Sequence, residues 1–463
     1  MDGTNFGILS LIPAVSFLVL ALLTKKCIAS VFISATLGYV IYYKTDFFMP
    51  LMNSFLETAN DPDNNYIVII CLLFGCLVQL LRESKGAIAV GNFARKYVKS
   101  EKQVLLLTWI CGVIIFIDDY LSILVTANCV MTLADEHKTP REMLCYIINT
   151  TSAPVCLIIP ISAWVVFFSG IFEQQPEAAV VGNSAMDIYY HIMPYFFYPF
   201  LCVIFVPLVI MGIIPKMGGM KKAYKRVEET GKLWPDSSDV QNSGFETFEI
   251  DENDENAKKP RLWTFVVPMV VVIVVALWMD DILYGVVLGI VSCLVLYIPT
   301  RVMTFGKFCD ACYKGLEDML YIAVVLVTSL LYRQAIDILG LSDYLIEVAG
   351  PYMSAAWLPA IAFLLIAAVC FVTGSIWSIP AIYTPIILPL AASTGASIPL
   401  TLGAIISAAC FGAQACFYSD VTLMSASACR VNNVDYGVAQ LPYVGIVSAI
   451  TFVAYIIAGF VMI

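Results

Sequence analysis

The chain alternates long apolar runs with short polar gaps. Runs near or above the length that crosses roughly 30 Å of hydrocarbon lie at about 7–24, 27–43, 66–81, 103–117, 143–172, 188–214, 262–279, 282–299, 318–332, 355–372, 376–392, 400–418 and 441–463. They predict an all-α polytopic membrane protein. The first run has only Asp2 ahead of it and lacks a basic leader region. Lys25 and Lys26 follow it instead of a small-residue cleavage site, so a retained span is expected rather than a signal peptide.

The polar gaps differ in charge. Lys25 and Lys26; Arg82, Lys85, Arg95, Lys96, Lys99 and Lys102; and Lys216, Lys221, Lys222, Lys225 and Arg226 are basic clusters, whereas 44–65 and 173–187 are poor in Lys and Arg. Basic loops stay cytoplasmic. The pattern therefore predicts a multi-pass protein of the cell (inner, cytoplasmic) membrane, with an extracytoplasmic N-terminus and cytoplasmic loops at 25–26, 82–102 and 215–261. The 221–226 cluster also suits anionic lipid headgroups. Segment 215–261 runs from KKAYKR to DENDEN with few apolar residues, the composition of a flexible cytoplasmic linker. It separates a first transmembrane repeat, 1–214, from a second, 262–463. The halves enter the membrane from opposite sides, the signature of inverted-topology repeats, unless an insertion has split the chain by accident.

Polar residues interrupt the apolar runs at four places. Asp118, Asp119 and Tyr120 stand between apolar runs, where an ionisable group costs at least about 2.5–3.5 kcal/mol and should face a cavity or a partner. Adjacent acids lie about 100° apart on a helix, so one is expected to face the cavity and the other to cap a half-helix N-terminus. An ordinary span end in headgroup water is the competing reading. Asn149, Thr150, Thr151, Ser152 and Pro154 form the second interruption, followed by Pro160, Ser162 and Trp164. Proline and clustered hydroxyls free backbone carbonyls, tolerated at membrane depth only where protein or a water-filled cavity covers them. Such oxygens suit small hard cations, although single Ser and Thr residues also pack helices. Thr373, Ser375, Trp377 and Pro380 break one run in the second half, and Ser419, Asp420, Thr422 and Ser425 break another. Paired broken helices in two halves are expected of inverted repeats.

Composition narrows the function classes. The 463 residues are 60% hydrophobic and 13% charged, against about 25% charged in soluble domains. The net charge of −10 argues against a nucleic-acid partner. Two histidines and a solitary Cys309-x-x-Cys312 give little support to a structural metal, a redox centre or an enzyme, and no cofactor is expected.

The interruptions resemble the NhaC-type Na⁺/H⁺ antiporter family of the wider ion-transporter superfamily. Gly7–Pro13 looks like its opening. Phe116–Trp164 is similar to its longest signature, including Asp118-Asp119-Tyr120, Asp135, Arg141-Glu142, Tyr146, Thr151, Ala153-Pro154-Val155-Cys156 and Pro160-Ile161-Ser162. Thr373-Gly374-Ser375, Trp377, Phe411-Gly412, Ser419-Asp420, Thr422, Ser425 and Gln440-Leu441-Pro442-Tyr443 follow in order. The chain departs where the family usually reads Asp-Ser-Thr, here Asn149-Thr150-Thr151. It departs again where the family reads Gly-Asp-His-Cys-Ser-Pro, here Gly412-Ala413-Gln414-Ala415-Cys416-Phe417, and Ser122 replaces an Asn. Asp118, Asp119 and Asp420 are the acids that remain.

The resemblance implies a secondary transporter exchanging a small cation for protons by alternating access, with scaffold and transport parts and a homodimer. Transported Na⁺ and H⁺ would meet at Asp119 and Asp420, with neutral oxygens from Thr150, Thr151, Ser152, Thr373, Ser375, Ser419 and Thr422. The alternative keeps the fold and moves a small organic solute, a carboxylate or an amino acid, whose anionic group sits at half-helix N-termini.

Overall fold

The computed structural model describes residues 6–24, 27–86, 98–239, 261–279, 281–349, 353–374, 376–417 and 419–462. Among them there is no strand. In chain order the helices are α1 (Leu11–Thr24), α2 (Cys27–Tyr43), α3 (Phe48–Asn60), α4 (Pro62–Glu83), α5 (Glu101–Ile114), α6 (Asp119–Glu136), α7 (Arg141–Thr151), α8 (Ala153–Ile158), α9 (Ala163–Glu173), α10 (Ala185–Ile192) and α11 (Phe197–Met211). Then follow α12 (Gly218–Thr230), α13 (Trp263–Met279), α14 (Ile282–Tyr297), α15 (Phe305–Ile338), α16 (Leu341–Ala349), α17 (Leu358–Thr373), α18 (Ser378–Thr394), α19 (Ile398–Ala415), α20 (Asp420–Ala428) and α21 (Asn433–Val461).

The helices pack as two groups. The first gathers α1–α4 with α13–α16, centred on α4 against the 34-residue α15. Glycine makes that contact possible: a Cβ on Gly75 would stand 2.2 Å from the Gly315 carbonyl oxygen, and one on Gly315 2.3 Å from that of Gly75. The second group holds the interrupted helices, with α19 at its centre, buried over almost its whole length. The groups meet chiefly where α9 packs on α4 and where α18 packs on α15 and α16.

The apolar surface belongs to a membrane protein. Val266, Val270, Val274, Leu288 and Val295 are exposed on α13 and α14, opposite buried Val272, Val286 and Cys293. A band of branched apolar side chains suits lipid and not water. By length and composition, Ile398–Ala428 and Asn433–Val461 can each cross a membrane, as can the bent pairs Arg141–Ile158 with Ala163–Glu173 (46°) and Ala185–Tyr195 with Phe197–Met211 (53°).

The structure bears out one expectation and amends two. The 143–172 run is broken twice, at the expected interruption: Ser152 and the 159–162 break divide it into α7, α8 and α9, because Pro154 and Pro160 remove backbone donors. The basic-poor segment 44–65 contains α3, whose amphipathic pattern was hidden among polar residues. Within the expected linker, Gly218–Thr230 forms α12, which turns Met220, Ala223, Tyr224 and Val227 inward and packs on α21. Four apolar residues at helical spacing suffice for such a stripe. Residues 240–260, Lys25, Lys26, Arg95, Lys96 and Ser375 lie outside the described residues.

Candidate functional site

Two short acidic turns are built alike. Asp118 is the N-cap of α6; its Oδ1 accepts the Leu121 N–H at 2.7 Å. Asp119, the first helical residue, turns Oδ1 to the Tyr120 N–H at 3.1 Å. In the second half Ser419 caps α20, its Oγ accepting the Thr422 N–H at 3.2 Å, while Asp420 turns Oδ1 to the Val421 N–H at 2.9 Å. A third break uses the same chemistry. Ser162 caps α9 through the Val165 N–H at 3.3 Å and donates to the Cys156 carbonyl at 2.6 Å, six residues back. Ser419 likewise donates to the Ala413 carbonyl at 2.6 Å, also six residues back. These caps satisfy helix ends that the breaks would otherwise orphan.

The acids meet at the centre. The Tyr120 hydroxyl donates to Asp420 Oδ2, so α6 and α20 are joined through an acid–phenol bond. Asp118 and Asp119 are 1% and 3% exposed, and Asp420 is half-buried. Both Asp118 and Asp420 lie within electrostatic reach of Asp119. Arg82 and Asp318, a loose pair at 3.8 Å, act on Asp118 from α4 and α15. Asp119 Oδ2 is buried and makes no hydrogen bond.

Two indoles wall this space. Trp164 on α9 lies beside Asp119, and Trp377, the N-cap residue of α18, lies beside Asp420. Their rings are 4.4 Å apart between centroids, with Phe167 edge-on to Trp377 at 4.9 Å. The Trp164 Nε1, fully buried, is turned to Asp119 as a donor, at longer than a well-formed hydrogen bond. Between the 159–162 break, α10 and the α13–α14 junction, Pro160, Ile161, Met186, Tyr190 and Asp281 line a cavity of about 130 Å³.

Behind the acids runs a ring of neutral groups. Asn149 Nδ2 donates to the Tyr436 hydroxyl at 2.7 Å, and Tyr436 donates to Gln440 Oε1 at 2.6 Å. Gln440 Nε2 donates to the Gln414 carbonyl at 2.7 Å, and Gln414 Nε2 donates to Thr150 Oγ1 at 2.7 Å. Gln414 Oε1 accepts from the Tyr198 hydroxyl at 2.7 Å. Asn149, which stands where the family carries an acid, and Gln414, which stands where it carries a histidine, therefore cross-brace α7, α19 and α21 without charge.

An ion-pair cluster closes one end. Arg141, 3% exposed, holds Asp135 through both Nε at 2.8 Å and Nη2 at 2.7 Å, and donates to the Cys429 carbonyl at 3.0 Å. Glu142 is gripped by Arg226 of α12 at 2.7 and 2.9 Å. Ser238 accepts the Asn432 N–H at 2.9 Å, so the segment after α11 is pinned to both halves.

The structure brings Asp118, Asp119, Tyr120 and Asp420 together. It uses the other expected oxygens differently. Thr151, Ser152 and Thr373 bond carbonyls of their own helices at 2.8, 2.9 and 2.8 Å. Asn149, Thr150 and Thr422 belong to the neutral network. Ser162 and Ser419 are caps, and Ser425 Oγ is buried without a partner. Sequence reasoning named Trp164 and Trp377 among the interruptions and matches but did not assign them to the site, because an indole in an apolar run reads as core. Arg226 was read only as part of a basic cluster and Gln440 only as a match, and Tyr436 was missed for want of any local signal.

A profile of the Na⁺/H⁺ antiporter family matches residues 155–460. An uncharacterized protein of Haemophilus influenzae is 23% identical, covering 97% of this chain and 91% of its own. Two solved structures share the fold. Neisseria gonorrhoeae MtrF, described with a class of antimetabolite efflux pumps, has TM-score 0.60 at 12% identity, over 89% of this chain and 84% of its own. The Alcanivorax borkumensis YdaH transporter has TM-score 0.58 at 13% identity, over 90% of each chain. The two solved structures are transport proteins by their descriptions, and this chain shares their fold. This chain is a secondary transporter, not an enzyme, and it belongs to the Na⁺/H⁺ antiporter family.

Proposed function

We propose that the protein couples proton movement to cargo movement at Asp119 and Asp420. The buried Asp119 Oδ2, which meets no side-chain donor but the Trp164 indole beside it, carries this reading. An ionised carboxylate held there costs several kcal/mol unless something compensates it, so a proton and a cation stabilise the site in turn. Their mutual exclusion links the two flows. Alternating access would follow from movement of the interrupted-helix group against the other group. The matching caps at Ser162 and Ser419 support inverted repeats, with the Arg226 end cytoplasmic.

The family points to Na⁺ as the exchanged cargo. The neutral Asn149–Gln414 ring and the paired indoles favour the second reading, a small organic solute moved with the same coupling. Purified protein in liposomes holding a pH dye tests the common core. A Na⁺ gradient should move protons in wild type, and Asp119→Asn and Asp420→Asn should reduce the signal to background. Normal exchange by both variants would remove the coupling site from these residues.

A further inference from the structure

Where Gly75 and Gly315 let α4 and α15 touch, the neighbouring residues are cysteines. A Cβ on Gly315 would stand 2.7 Å from the Cys76 Cα, and Cys312 lies one turn before Gly315 on α15. The Cys76 thiol donates to the Cys312 carbonyl at 3.2 Å, and the two thiols also pair with each other. A sulfur this close to the Cys312 backbone is reached by the Cys312 sulfur through rotation about its Cα–Cβ bond. Close backbones with facing thiols are what a disulfide requires. The C-x-x-C at 309–312 gave no sign of this, because the facing thiol is 236 residues away.

Exposure decides which thiols a solvent reagent can meet. Cys76 is 4% exposed, Cys312 is half-buried, and Cys309, one turn away, is exposed. Lys307, Asp310, Lys314, Glu317 and Asp318 are exposed around them, so this end of α15 stands in water and not in hydrocarbon. Cys145 and Cys429 also face each other, but both are fully buried. Only the α4–α15 pair is open to attack.

We infer that Cys76 and Cys312 are a reversible modification site, closed to a disulfide by a small disulfide of the oxidised-glutathione class. The Cys312 thiolate attacks the reagent's S–S bond, forms a mixed disulfide and expels one thiolate. The Cys76 thiolate then attacks the Cys312 sulfur and expels the second. One protein disulfide forms, one reagent disulfide is reduced to two thiols, and the protons of Cys76 and Cys312 pass to the expelled thiolates. A dithiol reverses both steps. In a reducing compartment such a bond is a transient sensor. Its effect reaches the acids. Arg82 on α4 and Asp318 on α15 stand 3.8 Å apart and both act on Asp118. A covalent tie between the two helices fixes the spacing of those charges and slows the site they flank.

The test incubates full-length protein with oxidised glutathione, alkylates it under denaturing conditions, digests it without reductant and maps the peptides by mass spectrometry. The expected product joins the Cys76 and Cys312 peptides with loss of two hydrogens. Dithiothreitol should release it, while Cys145 and Cys429 stay reduced throughout. Cys309→Ser should keep the bridge. Cys76→Ser should lose it and leave glutathione on Cys312, and Cys312→Ser shows the same loss from the other side should Cys76→Ser fail to fold. A Cys309–Cys312 bond within α15, or glutathione on Cys309 with Cys76 still alkylated, overturns the inference. In liposomes, oxidation should slow the Na⁺-driven dye response of wild type severalfold, reversibly, and leave Cys312→Ser unchanged. A bridge that forms without altering the response overturns the sensing role. That arm rests on the coupling reading above and the peptide map does not, so a protein that bridges yet moves no protons when reduced overturns the coupling reading alone.

Discussion

Asp118 and Asp119 are chemically identical neighbours with different tasks. One accepts a backbone N–H and ends a helix; the other leaves an oxygen unmet. Asp118→Ser should therefore retain function, since serine caps almost as well as aspartate, whereas Asp119→Asn should not. A dye-based exchange assay with both variants separates the two. Tyr120→Phe removes the donor that joins α6 to Asp420. It should weaken cargo affinity about tenfold or more, as loss of a hydrogen bond to a charged group does, with protein yield unchanged. The acids were legible in the sequence because charge amid apolar residues is costly wherever it stands. The indoles were not, because a tryptophan pays no such penalty and its N–H looks satisfied until its neighbours are known. The hydroxyls at 150–152 were legible as oxygens but not as partners. Whether Thr150 faces a cation or Gln414 is settled by a helix 264 residues away.

Breaks were the readable elements, since proline and clustered hydroxyls mark them locally; amphipathic surface helices were the unreadable ones. α3 and α12 lie in polar stretches, and their inward stripes become apparent only against α4 and α21. α12 also brings Arg226 to Glu142, a bidentate pair in which the glutamate side chain is 4% exposed and the arginine 20%. Removing one partner leaves a buried charge. Glu142→Met alone should cost about 3 kcal/mol of stability, and Glu142→Met with Arg226→Met should recover most of it. Thermal unfolding in detergent of the single and double variants checks this, and equal losses from both would show that the pair matters little.

α4 and α15 touch backbone to backbone at Gly75 and Gly315, so Gly75→Ala should loosen that group by about 1–3 kcal/mol through overpacking, seen as a lower melting temperature. The contact is a sequence-distant coincidence of two glycines, which explains why nothing local announced it. The segment 218–239 offers another test. It holds α7 through Arg226 and the α20–α21 junction through Ser238, so residues 1–239 and 240–463 expressed as separate chains should reassemble and copurify. Failure to copurify would show that these contacts do not suffice. A different outcome follows from where the tryptophans sit. α9 and α18 are the helices by which one group rests on the other, and each begins at an indole. A rod fixed at its flank cannot shift without carrying its tip along. Occupancy at the tips and slippage along the seam are then a single coordinate. A crosslink across the seam should halt exchange in liposomes as completely as the loss of Asp119 does.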